Sequence, residues 1–106
     1  MAENKDKFIK ILSEEPGLYD VINSKQHLYI LEVLKKESQD LQHIKKDIPK
    51  DININKDIIL YNILDTLTQK NLIKKIQVNN SEIYYITDKG KLLFDLYTSA
   101  RKEYNI

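Results

Sequence analysis

Two strand-like runs, LIKKIQV (72–78) and EIYYI (82–86), stand together in a chain whose other apolar residues recur at helical spacing. Asn79-Asn80-Ser81 between them predicts a tight hairpin. A two-stranded hairpin is marginal in water, so this one must lie against helices. The chain has only two glycines, and Gly90 falls in the first turn of a helix that begins directly after the second run. Thr87 is suited to be the N-cap of that helix, its hydroxyl accepting from an unpaired N–H of the first turn. A strand that turns straight into a helix passes close to the helical core, and a side chain at position 90 is expected to collide there.

The helices follow from spacing and punctuation. Phe8, Ile9, Ile11 and Leu12 predict a short amphipathic helix, terminal helix 4–14, ended by Pro16-Gly17. Ser24 is the expected cap of a second helix to residue 36, with Leu28, Leu31 and Leu34 on one face. Ser38 is the expected cap of a third, carrying Leu41, Ile44 and Ile48 and closed by Pro49, because the residue before a proline leaves helical geometry. After the polar KDININ turn, Asn55 is the expected cap of the longest central helix, 56 to about 70. Its inner face is Leu60, Ile63, Leu64 and Leu67. Asn71 then stands at C′, where asparagine replaces glycine in left-handed geometry. A last helix spans 88–104.

The whole is read as one domain, 1–106, mainly α with a small β-hairpin. At 42% hydrophobic and 31% charged the composition is that of a globular protein. No apolar run reaches the roughly 20 residues of a membrane helix, and the lysine-bearing start lacks the apolar centre of a signal peptide. The absence of cysteine excludes a disulfide framework and fits a reducing cytoplasm. A net charge of +1 makes any basic patch local.

The segments ILDTLTQKNLIKKI (63–76) and YYITDKG (84–90) resemble the winged helix-turn-helix family of small prokaryotic transcription regulators. In that family the recognition helix ends at a left-handed glycine followed by Leu-Ile entering the wing, and the second wing strand runs into Leu-Thr-x-x-Gly. Here Asn71 replaces the glycine and Ile86 the leucine. The resemblance covers about 24–96, and the final helix is similar to the dimerisation helix of some members. It implies a dimeric DNA-binding transcription regulator with no cofactor.

It further implies that the central helix enters the major groove of double-stranded DNA. Counted from Asn71, the outward positions are Ile58, Ile59, Tyr61, Asn62, Asp65 and Thr66. Asn62 is suited to a bidentate contact with adenine, and Tyr61 to a phosphate or a thymine methyl. Lys50, Asn53, Asn55 and Lys56 are candidate phosphate contacts at the helix start. Lys74, Lys75, Asn79 and Asn80 are the wing's candidates. Two acidic residues, Asp57 and Asp65, two isoleucines and the lack of any arginine in this region are features of a protein-binding face instead. A protein–protein interaction module in a transcription, replication or repair complex is therefore the alternative.

No enzyme is expected. His27 and His43 have no metal-ligand spacing, Glu14-Glu15 has no acid–base partner, and there is no Gly-rich phosphate loop. Tyr84 and Tyr85 either pack or stack on bases. Outside the winged core, Phe8, Ile9, Leu12, Leu93, Leu96, Tyr97, Ala100 and Tyr104 form apolar stripes that predict a homodimer joined through its terminal helices. The competing arrangement folds the first helix over the last within one chain.

Overall fold

A computed structural model describes residues 2–103, and Tyr104 lies outside the described residues. The order is α1 (Ala2–Glu14), α2 (Leu18–Ile22), α3 (Lys25–Lys36), β1 (Gln39–Asp40), α4 (Leu41–Lys46), a 3₁₀ turn (Lys50–Ile52), α5 (Asp57–Gln69), β2 (Ile73–Val78), β3 (Ser81–Ile86) and α6 (Asp88–Glu103). Helices α3, α4 and α5 bury Ile30, Leu31, Leu34, Ile44, Leu60, Leu64 and Leu67 in one core, roofed by Leu72, Ile73, Tyr84 and Ile86 of the wing. This is the winged helix-turn-helix architecture, with α4 and α5 as the helix pair and β2–β3 as the wing.

Local chemistry explains the boundaries. Ser24 Oγ accepts from the His27 N–H at 3.3 Å and caps α3. Helix α4 is capped by Asp40, whose Oδ1 accepts the His43 N–H at 2.9 Å, and not by Ser38. The reason lies in the sheet: Gln39 and Asp40 pair with Tyr84 and Ile83 as an added third strand, so the chain is still extended past Ser38. Helix α4 also stops at Lys46, short of Ile48, because Pro49 holds Ile48 outside helical geometry. Helix α2 is an addition to the expected elements, a short helix after Pro16-Gly17 whose Leu18 and Val21 are wholly buried.

Asn71, at φ 61°, ends α5 as expected. Its N–H donates to the Thr68 carbonyl and the Leu72 N–H to the Leu67 carbonyl, both at 3.0 Å, the paired bonds of a Schellman motif. Leu67 and Leu72 are both fully buried, which supplies the apolar contact that accompanies this motif. The hairpin loop is Asn79-Asn80 alone, with Asn79 at φ 55°, and Ser81 already pairs with Val78.

At the wing–α6 junction, the Thr87 Oγ1 accepts from the Gly90 N–H at 3.0 Å and donates to the Asn71 carbonyl at 2.7 Å. The collision expected at Gly90 is present, but its partner is backbone at the wing entry and not the helical core. A Cβ there would lie 2.2 Å from the Leu72 carbonyl oxygen and 2.7 Å from Ile86 Cγ1. The strand entering the wing and the helix leaving it are thus locked within bonding distance of each other.

The terminal helices pack on one another within the chain. Phe8 and Tyr97 meet edge to face with centroids 6.3 Å apart, and Lys89 binds Glu15 at 2.8 Å, so α1 runs antiparallel to α6. Leu12, Leu93, Leu96 and Ala100 are thereby already buried in a single protomer. Helix α6 is tied to α3 by the Lys35–Asp95 ion pair. Most of the apolar stripe that pointed to a second chain is covered by the chain's own fold. Ile9 and Leu92 remain 49% and 48% exposed, and Phe8 and Tyr97 are half-buried.

Candidate nucleic-acid interface

Helix α5 turns Leu60, Ile63, Leu64 and Leu67 inward, and the 3.6-residue period then fixes what faces solvent. Ile58 is 62% exposed and Tyr61 43%, with Asn62 and Asp65 exposed beside them. Two of the expected outward positions are corrected. Ile59 packs against the core beside Ile54, and Thr66 is half-buried. The outer face therefore carries one exposed isoleucine instead of two.

The segment leading into α5 is held from below. Asn53 takes a left-handed φ of 61° at the end of the 3₁₀ turn, and Gln26 Nε2 donates to its carbonyl at 2.9 Å. Tyr29 donates to the Asp47 carbonyl at 3.2 Å. Both bonds come from α3 and set the α4–α5 turn. Asn55 does not cap α5. The chain arrives extended through Lys56, which takes the cap position (φ −135°, ψ 145°) without a side-chain bond to the first turn. The Ile59 N–H turns back to the Lys56 carbonyl at 3.1 Å, and no side chain caps the N–H groups before it. Lys50, Asn53, Asn55 and Lys56 are all exposed around them.

Two ion pairs reshape the charge of this face. Lys45, on α4, binds Asp57 at 3.1 Å, so the carboxylate that opens α5 is offset. Lys75 binds Glu82 at 3.0 Å, and the hydrogen bond and charge of Glu82 hold the ammonium above the usual lysine range. Asp65 and Tyr84 add to that field. Burial in turn pushes the Tyr84 phenol up. Lys75 is thus engaged on the chain's own carboxylate, whereas Lys50, Lys56 and Lys74 form no ion pair among the described residues. Tyr84 is buried in the core and is not a stacking platform; Tyr85, across the ladder from Lys74, is half-buried. Asn79 and Asn80 form the exposed wing tip.

Neither Lys45 nor Glu82 is among the expected site residues. The Lys45–Asp57 pair spans the helix-turn-helix and leaves no local sequence signal. The Lys75–Glu82 pair was accessible: a two-residue loop at Asn79-Asn80 fixes the pairing of Lys75 with Tyr84, which sets Glu82 diagonally across the ladder.

His27 and His43 are each tied to their own helix start. The His27 ring Nδ1 lies 2.7 Å from Ser24 Oγ, and that of His43 lies 2.6 Å from Asp40 Oδ1. Burial, then the charge of Lys70, holds the His27 imidazole below its ordinary value, with Asp20 opposing. The backbone and side-chain hydrogen bonds of His43 hold the Asp40 carboxyl down. Among the described residues no helix is long and apolar enough to cross a membrane.

No protein-family model matches the chain, and no curated protein sequence matches it significantly. Among solved structures, the fold is similar to a crystal structure described as a transcriptional regulator of the MarR family from Enterococcus faecalis V583, a function provisionally assigned there. The TM-score is 0.70 at 18% identity, over 92% of this chain and 94% of the other. The superposition spans nearly the whole of both chains, so α1 and α6 share the common fold together with the winged core.

Proposed function

We propose that this chain is a winged helix-turn-helix transcription regulator that binds double-stranded DNA as a homodimer in the cytoplasm. The observation that carries the reading is the outer face of α5. Tyr61 and Asn62 stand exposed on it, and Lys50 and Lys56 are exposed at a helix start that no side chain caps. Polar side chains suited to base edges are flanked there by cations suited to phosphates. The Lys45–Asp57 pair removes one of the two charges that would oppose a polyanion. Similarity to a MarR-family regulator supports the same reading.

For the dimer, the support is the exposed apolar remainder of the terminal helix pair, Ile9 and Leu92, with Phe8 and Tyr97 at its margin. A second reading, a protein-interaction module, is favoured by one observation, the exposure of Ile58 and Tyr61 on the same helix. Fluorescence anisotropy with random duplex DNA across a salt series tests the first against the second. Log affinity falling linearly with log salt is expected. Tyr61→Ala and Asn62→Ala are expected to weaken binding with unchanged thermal melts; unchanged DNA affinity in both favours the module. Light scattering tests the dimer, and a monomer mass at high micromolar concentration refutes it.

A further inference from the structure

Helix α5, DIILYNILDTLTQ, contains no lysine or arginine. The commonest contact by which proteins read duplex DNA, a cation on guanine O6 and N7, therefore has no donor on the helix that would lie in the groove. Two exposed cations, Lys50 and Lys56, precede its first turn, where phosphates fall. What the first two turns do present is one aliphatic side chain and one carboxamide on the same face, Ile58 and Asn62 at i and i+4. Tyr61 stands beside them.

Each has one base-edge partner that suits it. Isoleucine matches the C5-methyl of thymine, the only aliphatic group in the major groove, and asparagine matches adenine N6 and N7. Their Cβ atoms lie about 5–6 Å apart, within reach of neighbouring base pairs stacked about 3.4 Å apart. Asp57 does not interfere with this face because Lys45 holds it. Asp65 lies two turns beyond Ile58, and its charge faces Lys75.

From the DNA-binding reading above, we infer that this protein selects A·T base pairs through the major groove, with Ile58 reading a thymine methyl and Asn62 reading adenine. The 62% exposure of Ile58, unexplained as fold, is then the unfilled half of a contact with DNA. The preference is carried by a methyl group and so has a direct chemical probe. Uracil keeps the pairing, the phosphates and the charge of the duplex and lacks only that methyl.

The experiment selects binding sites for the full-length protein from a random duplex pool, then measures affinity for the selected site with each thymine in turn replaced by uracil. The expected site is rich in A·T. One uracil replacement should weaken binding roughly fourfold, the worth of one buried methyl, and Ile58→Ala should abolish that difference without altering the thermal melt. Three results overturn the inference while leaving DNA binding standing: a selected site built around G·C pairs, no uracil replacement that matters, or salt-dependent binding without sequence enrichment. Absence of any duplex binding at low salt overturns both this inference and the reading it rests on. Because the uracil series uses the unaltered protein, its result stands whatever happens to the variant.

Discussion

Replacing Gly90 by alanine tests the junction on which the wing's position depends. Position 90 is helical and has no positive φ, so propensity alone favours alanine by about 1 kcal/mol. Packing opposes it. The new Cβ would sit 2.2 Å from the Leu72 carbonyl oxygen, roughly 1 Å inside ordinary contact, and 2.7 Å from Ile86 Cγ1. That oxygen cannot simply withdraw, because it accepts the Thr87 N–H at 3.0 Å and lies 3.0 Å from Thr87 Oγ1. Forced separation costs about 1–3 kcal/mol as overpacking and weakens a backbone bond worth about 1 kcal/mol. The net expectation is a loss of about 2 kcal/mol, a fall in Tm of about 10 °C for a domain of this size. Urea and thermal melts of Gly90→Ala, Gly90→Val and Thr87→Ala provide the measurement. Valine should cost more than alanine. Thr87→Ala, which removes the α6 cap, should cost about 1 kcal/mol, less than valine. An alanine variant as stable as the parent, or more so, would refute the close approach and leave propensity as the governing effect.

Leu64→Ala, a truncation of a fully buried side chain on the inner face of α5, is expected to cost roughly 2–5 kcal/mol in urea melts. Glu82→Gln should free Lys75 for phosphate, raising DNA affinity at low salt and steepening the log–log salt slope by about one; an unchanged slope would mean that Lys75 does not reach the DNA. His27 gives the fold a pH dependence. Its folded-state pKa lies below the ordinary 6.5, so on acidification the unfolded chain takes up the proton first. The associated stability is present above pH 6.5 and is lost as pH falls from there toward the folded value. Urea melts at pH 7.5 and 5.5 should show a decline that His27→Gln reduces.

The parts of the fold that sequence conveys are those with local causes. Ser24, Asn71 and Thr87 each act on backbone within a few residues, and each acts where its side-chain chemistry predicts. The inner face of α5 follows from spacing alone. The misjudged elements depend on partners distant in the chain. Ser38 is as good a cap as Asp40 in isolation, and only the pairing of Gln39 and Asp40 with β3, more than 40 residues on, keeps it extended. Asn55 fails as a cap because Gln26 and the 3₁₀ turn deliver the chain to Lys56 already extended. The apolar stripes on the terminal helices were legible as apolar, but their spacing does not record whether the covering surface belongs to the same chain.

The same distinction governs the candidate site. The side chains of α5 could be assigned to inner and outer faces by counting, with Ile59 and Thr66 at the boundary misplaced because a half-buried position is decided by what packs beside it. Charge does not follow from counting along α5: the Lys75–Glu82 pair needs the hairpin register, and the Lys45–Asp57 pair needs the packing of α4 on α5. Asp57 looks repulsive to DNA until Lys45, twelve residues earlier, is found against it. Lys75 looks available until Glu82 is found on it. One pairing makes the face more hospitable to a polyanion and the other less so, leaving Lys50, Lys56 and Lys74 as the cations with nothing to give up on binding. The first two precede the α5 helix, whereas Lys74 lies on the sheet face opposite Lys75, so the backbone contacts of Lys50 and Lys56 fall on the N-terminal side of Ile58, Tyr61 and Asn62. Phosphate contacts at the start of a helix without cations of its own would fix its position in the groove, while leaving the choice of base pair to a methyl contact and an amide.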